Sequence, residues 1–200
     1  MTEAEWLATT DQNEARWKFI ERRATDRKLQ LFACAVFQFH ANPARRSARS
    51  DDDYYGIVIA AERYADGVIT DRELTDAGRM IRFDEESFDP IFASWISTGL
   101  TALRHFLPSW LRDSVGASAW FHEVFGNPFR PVAFAPEWRT STVLALAQQM
   151  YDSRDFSAMP ILADALQDAG CDSEEILDHC RGPGPHVRGC WVCDLVLGKE

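Results

Sequence analysis

The stretch DRKLQLFACAVFQFH, residues 26–40, decides the fold class. Its apolar side chains cover nearly every side of a helix, whereas a surface helix carries a single apolar stripe. The apolar positions are Leu29, Phe32, Ala33, Val36, Phe37 and Phe39. We therefore expect a buried helix at the centre of a helical fold.

Helix signals recur on both sides of this stretch, while strand signals are poor. A capping residue stands three positions before a glutamate in four pairs, Thr2/Glu5, Asp11/Glu14, Thr70/Glu73 and Asp172/Glu175. This spacing satisfies free N–H groups at a helix start. No Asn-Gly turn or long alternating run indicates a strand. Predicted helices span residues 14–23, 26–40, 54–65, 71–81, 90–106, 110–125, 142–151, 158–169, 173–180 and 186–197.

These elements predict an all-α protein with a single globular domain over residues 1–200, built from about nine or ten short to medium helices. A polar loop is expected near residues 42–53 and a C-terminal motif block over residues 126–198. Short helices alternate with Gly/Pro turns in the second half. We therefore expect weak helical-repeat character in that half.

Composition excludes two classes of partner. The chain is 46% hydrophobic and 26% charged, as in ordinary globular domains, and its net charge is −10. An acidic chain is repelled by nucleic acid and by anionic membranes, so we expect neither as a partner. The N-terminus is acidic and no long apolar run follows, which predicts a cytoplasmic protein without a signal peptide.

The segment HCRGPGPHVRGCWVCD, residues 179–194, carries a candidate metal site. Cys180, His186, Cys190 and Cys193 form a C-x5-H-x3-C-x2-C string whose atoms suit Zn²⁺. If the last helix begins near His186, its three ligands share one face and Cys180 approaches across the Gly-Pro turn. His179 is then expected to point elsewhere. The alternative is that this face is core, because a free cysteine behaves as a small apolar residue.

The same segment contains a candidate anion site. Arg181, His186 and Arg188 flank the turn, and Arg130 could converge on the same place. Guanidinium groups and helix N-termini bind anions. The alternative is that these arginines cap helix carbonyls or pair with carboxylates, for which the candidates are Asp164, Asp168 and Asp178.

Catalysis is a third interpretation. Cys180 and His186 are the candidate reactive groups, since a neighbouring histidine can activate a thiol. The Cys190–Cys193 CxxC lacks the strand-then-helix setting of thiol oxidoreductases. His122 and Glu123 lack the second histidine of an HExxH motif, so the sequence assigns them no role.

Three segments carry a resemblance, GNPFRPV (residues 126–132), MPILADALQDAGC (residues 159–171) and HCRGPGPHVRGCW (residues 179–191), together with TEAEWLATTD (residues 2–11) and TDRKLQLFACA (residues 25–35) near the N-terminus. With them, the chain resembles an uncharacterised bacterial family that is numerous in planctomycetes and present in actinobacteria. Its members occur alone or joined to other modules, and the resemblance implies no activity. Cys193 departs from the family, which has valine there, and the family is richer in cysteine around Cys34.

The resulting functional prediction is a cytoplasmic binding or regulatory module, with zinc as its candidate structural ion and a protein or small anionic ligand as its partner. The alternative is a small enzyme for an anionic small molecule, with Cys180 or His186 reactive and Arg130, Arg181 and Arg188 as the anion clamp. The sequence does not decide whether the protein is an enzyme.

Overall fold

The computed structural model describes residues 1–8, 13–40, 50–80 and 117–199. All regular secondary structure in these ranges is helical, which confirms the all-α prediction. The α-helices are α1 Glu3–Leu7, α2 Asn13–Ile20, α3 Asp26–His40, α4 Ser50–Ala65, α5 Asp71–Met80, α6 Ala117–Phe125, α7 Ser141–Ser153, α8 Met159–Asp168, α9 Glu174–Arg181 and α10 Trp191–Leu197. A short 3-10 helix spans Pro136–Trp138. The helix predicted over residues 90–106 lies outside the described ranges.

The chain divides into two compact units, Met1–Ser118 and Ala119–Glu200. In the first unit α3 has the predicted bounds, and residues 29–36 are all buried. It packs against α4, which packs against α5. The prediction of one domain over residues 1–200 stays a prediction, and the two units are described separately.

Helix starts in the first unit follow local capping chemistry. Thr2 accepts from the backbone N–H of Glu5, whose carboxylate accepts from the N–H of Thr2. Thr70 and Glu73 repeat the arrangement at α5. The predicted loop at residues 42–53 is wrong for residues 50–53, which begin α4.

The second unit packs α7 to α10 around one apolar core. Helix α8 contacts α7 and α9, and α10 contacts α7 and α9. Fully buried members of this core include Val143, Met150, Tyr151, Met159, Leu162, Leu166, Ile176, Cys180, Val192, Cys193 and Val196. Ser173, rather than the predicted Asp172, caps α9, since its hydroxyl accepts from the N–H of Ile176. No helix in the described ranges is both long and apolar enough to cross a membrane.

The last helix begins five residues later than predicted. Pro185 lacks an N–H, and Gly184 and Gly189 adopt left-handed φ values of +76° and +94°. Residues 183–189 therefore form an irregular loop, and Cys190 is the N-cap of α10. The prediction that His186, Cys190 and Cys193 share one helix face is wrong for this reason.

Candidate metal centre

Four side chains of the second unit meet at one point. Glu123, His179, His186 and Cys190 each offer a ligand atom, and these atoms all lie within 4.8 Å of one another. Glu123 lies on α6 and His179 on α9, while His186 belongs to the loop and Cys190 caps α10. The fold thus gathers ligands from four separate segments.

Glu123 is the central acceptor of this cluster. It is 3% exposed, and its Oε1 accepts a hydrogen bond from the backbone N–H of Val187 at 3.1 Å. Its Oε2 lies 3.1 Å from His186 Nδ1 and 3.3 Å from His179 Nε2. Burial raises the pKa of Glu123, but the hydrogen bonds from the two histidines outweigh burial and hold the pKa below its usual value.

His179 joins the carboxylate to the thiol. Its Nε2 lies 3.2 Å from Cys190 Sγ, and its Nδ1 lies 3.1 Å from the indole nitrogen of Trp191. Burial lowers the pKa of His179, while Cys190 and Glu123 act in the opposite direction. Burial raises the pKa of the fully buried Cys190 thiol well above its usual value.

His186 completes the cluster from the loop. Its Nδ1 faces Glu123, whereas its Nε2 is buried and finds no hydrogen-bond partner among the described residues. Burial lowers the pKa of His186, but the neighbouring Cys190 and Glu123 outweigh burial and raise it to about 10. Gly184 makes the approach possible, because a Cβ there would lie 3.0 Å from the backbone nitrogen of His186.

The dimensions of the cluster fit a tetrahedral metal ion. Metal bonds of about 2.0–2.3 Å imply ligand atoms roughly 3.3–3.6 Å apart at the corners of a tetrahedron. The three separations among Glu123, His179, His186 and Cys190 given above are 3.1, 3.3 and 3.2 Å. The other pairs of ligand atoms lie within 4.8 Å of one another. Small shifts of the side chains would bring all four ligand atoms to tetrahedral separations, so this group could hold an ion.

Of the ligands predicted from the sequence, the cluster contains His186 and Cys190 but neither Cys180 nor Cys193. Cys180 is fully buried on α9, and burial raises the pKa of its thiol well above the usual value. Cys193 is buried in the core, where its Sγ lies 3.7 Å from Met159 Sδ. The expectation that His179 points elsewhere is wrong. It assumed that the last helix begins near His186, whereas that helix begins at Trp191 and an irregular loop precedes it.

The predicted anion-binding arginines have other contacts. Arg181 donates to Gln167 at 2.6 Å and to Asp164 at 3.3 Å. Arg188 donates to the backbone carbonyl of Tyr151 at 3.3 Å and lies over its ring. Both arginines therefore match the alternative interpretation, in which they pair with carboxylates or cap helix carbonyls. Arg130 lies exposed in the turn after α6, and the anion site stays a prediction.

Sequence reasoning missed Glu123 and His179. A signal for Glu123 exists, since it is the lone acidic residue of the apolar helix ASAWFHEVF. A carboxylate between buried Phe121 and Val124 needs partners, because an unpaired buried charge is costly. No comparable signal marks His179, whose direction depends on where α9 ends.

Comparisons with family models, curated proteins and solved structures found no match. The resemblance drawn from the three motifs therefore stays a prediction. The metal centre rests on the geometry of this chain alone.

Proposed function

We propose that the unit Ala119–Glu200 is a zinc-stabilised binding or regulatory module, in which the ion is held by Glu123, His179, His186 and Cys190. The observation that carries the proposal is the convergence of these four ligand atoms within 4.8 Å. Ligands from four segments make the ion a crosslink between α6, α9, the loop and the start of α10.

The donor set favours zinc over other common ions. Zinc takes nitrogen, sulfur and oxygen ligands in a tetrahedron, whereas calcium and magnesium require mostly oxygen. Two neutral imidazoles, one carboxylate and one thiolate would balance the charge of Zn²⁺. A neutral centre suits this position, because Cys190 and Glu123 are almost fully buried.

A structural ion is better supported than a catalytic one. Structural zinc sites use four protein ligands, whereas catalytic sites keep one position open for water or substrate. The enzyme alternative places its reactive group at Cys180 or His186, yet the Cys180 thiol is fully buried with a raised pKa, and His186 is one of the four cluster residues. It also needs free guanidinium donors, yet Arg181 and Arg188 direct donors to protein groups.

Elemental analysis of the purified full chain tests the proposal. We expect one zinc per wild-type chain, and large losses of zinc in Cys190→Ser and Glu123→Gln, because each removes a ligand. Cys193→Val is the matched control, since it alters a neighbouring buried thiol outside the cluster. A wild-type chain without zinc, or a Cys190→Ser chain with full zinc content, would contradict the proposal.

Cobalt substitution then identifies the ligands. A cobalt-loaded wild-type chain should show intense visible bands of a tetrahedral ion and an ultraviolet thiolate charge-transfer band. The charge-transfer band should vanish in Cys190→Ser and persist in Cys193→Val. Its persistence in Cys190→Ser would assign the thiolate to another cysteine and exclude this ligand set.

A further inference from the structure

The indole of Trp191 and a metal ion require different tautomers of His179. The indole nitrogen lies 3.1 Å from His179 Nδ1. An indole N–H can only donate, so Nδ1 must accept through its lone pair. A neutral imidazole with a free Nδ1 carries its N–H at Nε2. That N–H then faces Glu123 Oε2 and Cys190 Sγ, with which it can hydrogen-bond.

Metal ligation through Nε2 reverses this arrangement. The ion needs the lone pair of Nε2, so the ring N–H must move to Nδ1, as in histidine ligands whose outer nitrogen donates to an acceptor. Nδ1–H would then face the indole N–H of Trp191, and two donors cannot satisfy each other. The indole contact and the metal bond exclude one another at His179.

We propose that Trp191 is a positioning residue that holds His179 in a metal-free tautomer, and that loading the centre breaks the Trp191–His179 hydrogen bond. The inference rests on the proposed metal centre. Trp191 is only partly buried, so its N–H can reach water once it is released. Its ring stays packed over Gly126, where a Cβ would lie 3.1 Å away.

Nitrogen-15 NMR of the full chain tests the exchange directly. Without metal, His179 should show the N–H at Nε2. One equivalent of zinc should move it to Nδ1 and shift the indole resonance of Trp191, with little change at Trp138. An unchanged tautomer with zinc bound overturns the inference and leaves the metal centre standing. A chain that takes up no zinc overturns both, while the metal-free spectrum still reports on the hydrogen bond.

The zinc affinity of Trp191→Phe is a second test, because the inference predicts tighter binding and a purely structural role predicts weaker binding. Phenylalanine keeps an aromatic ring but removes the competing donor. Losing one competing hydrogen bond should tighten zinc binding roughly 2- to 10-fold. A purely structural role for Trp191 would instead weaken binding. Trp138→Phe, in the 3-10 helix of the same unit, is the control and should leave the zinc affinity unchanged. Weaker zinc binding by Trp191→Phe alone overturns the inference.

Discussion

At the scale of single residues, two glycines set the geometry of the candidate metal centre. Gly184 leaves room for the backbone of His186, and Gly126 leaves room for the ring of Trp191, which contacts His179. Both have a positive φ, at which a Cβ is strained. Gly126 of GNPFRPV and Gly184 of GPGPH are therefore explained by close packing beside the cluster.

Gly126→Ala should destabilise the protein more than a glycine replacement that meets only conformational strain. A left-handed alanine costs about 1–2 kcal/mol, and overlap with Trp191 adds roughly 1–2 kcal/mol. Gly198→Ala is the control, because φ there is +66°, close to the +61° of Gly126, and nothing lies within 4 Å of its Cβ position. Urea denaturation measures both losses of unfolding free energy, and equal losses would show that the ring of Trp191 yields without cost.

At the scale of elements, helices were predictable where local chemistry decides them. The bounds of α3 matched because its apolar positions are continuous, and the caps at Thr2 and Thr70 matched because they are local. The predicted start of α10 was wrong because Gly184 and Gly189 adopt left-handed φ values, which interrupt the helix before Cys190. The sequence does not reveal these φ values. The cluster could be predicted only in part, since Glu123 is brought to His186 by tertiary packing and not by spacing.

Arg139 anchors the C-terminal end of α10, and its removal should weaken that helix. Its guanidinium donates to the carbonyls of Leu195 at 2.8 Å and Val196 at 3.1 Å. Helix ends leave such carbonyls without partners, and a cation there also suits the helix dipole. Arg139→Ala should lower the free energy of unfolding in urea by roughly 1–2 kcal/mol.

Arg181→Ala is the matched control for Arg139→Ala. Arg181 also pairs across two elements, but its side chain is 42% exposed and that of Asp164 is 75% exposed. Exposed ion pairs contribute little, so the loss should stay below about 0.5 kcal/mol. Equal effects of the two replacements would show that carbonyl capping does not stabilise α10.

At the scale of the whole molecule, the cluster closes a long segment of chain. Glu123 and His186 are 63 positions apart and belong to the same compact unit. A crosslink over that span restricts the unfolded chain, and it adds binding free energy to the folded one. The ion should therefore stabilise the unit Ala119–Glu200 as a whole rather than one loop.

Zinc removal should lower the melting temperature of the full chain, and this shift should require the ligands of the cluster. An ion at 100 times its Kd stabilises the folded state by about 2.7 kcal/mol. For a unit of this size that corresponds to roughly 10–20 °C. Differential scanning calorimetry with zinc and with a chelator measures the shift. Cys193→Val should keep the shift and Cys190→Ser should lose it, because only Cys190 supplies a ligand atom. An equal zinc-dependent shift in Cys190→Ser would mean that the ion stabilises the fold from a different site.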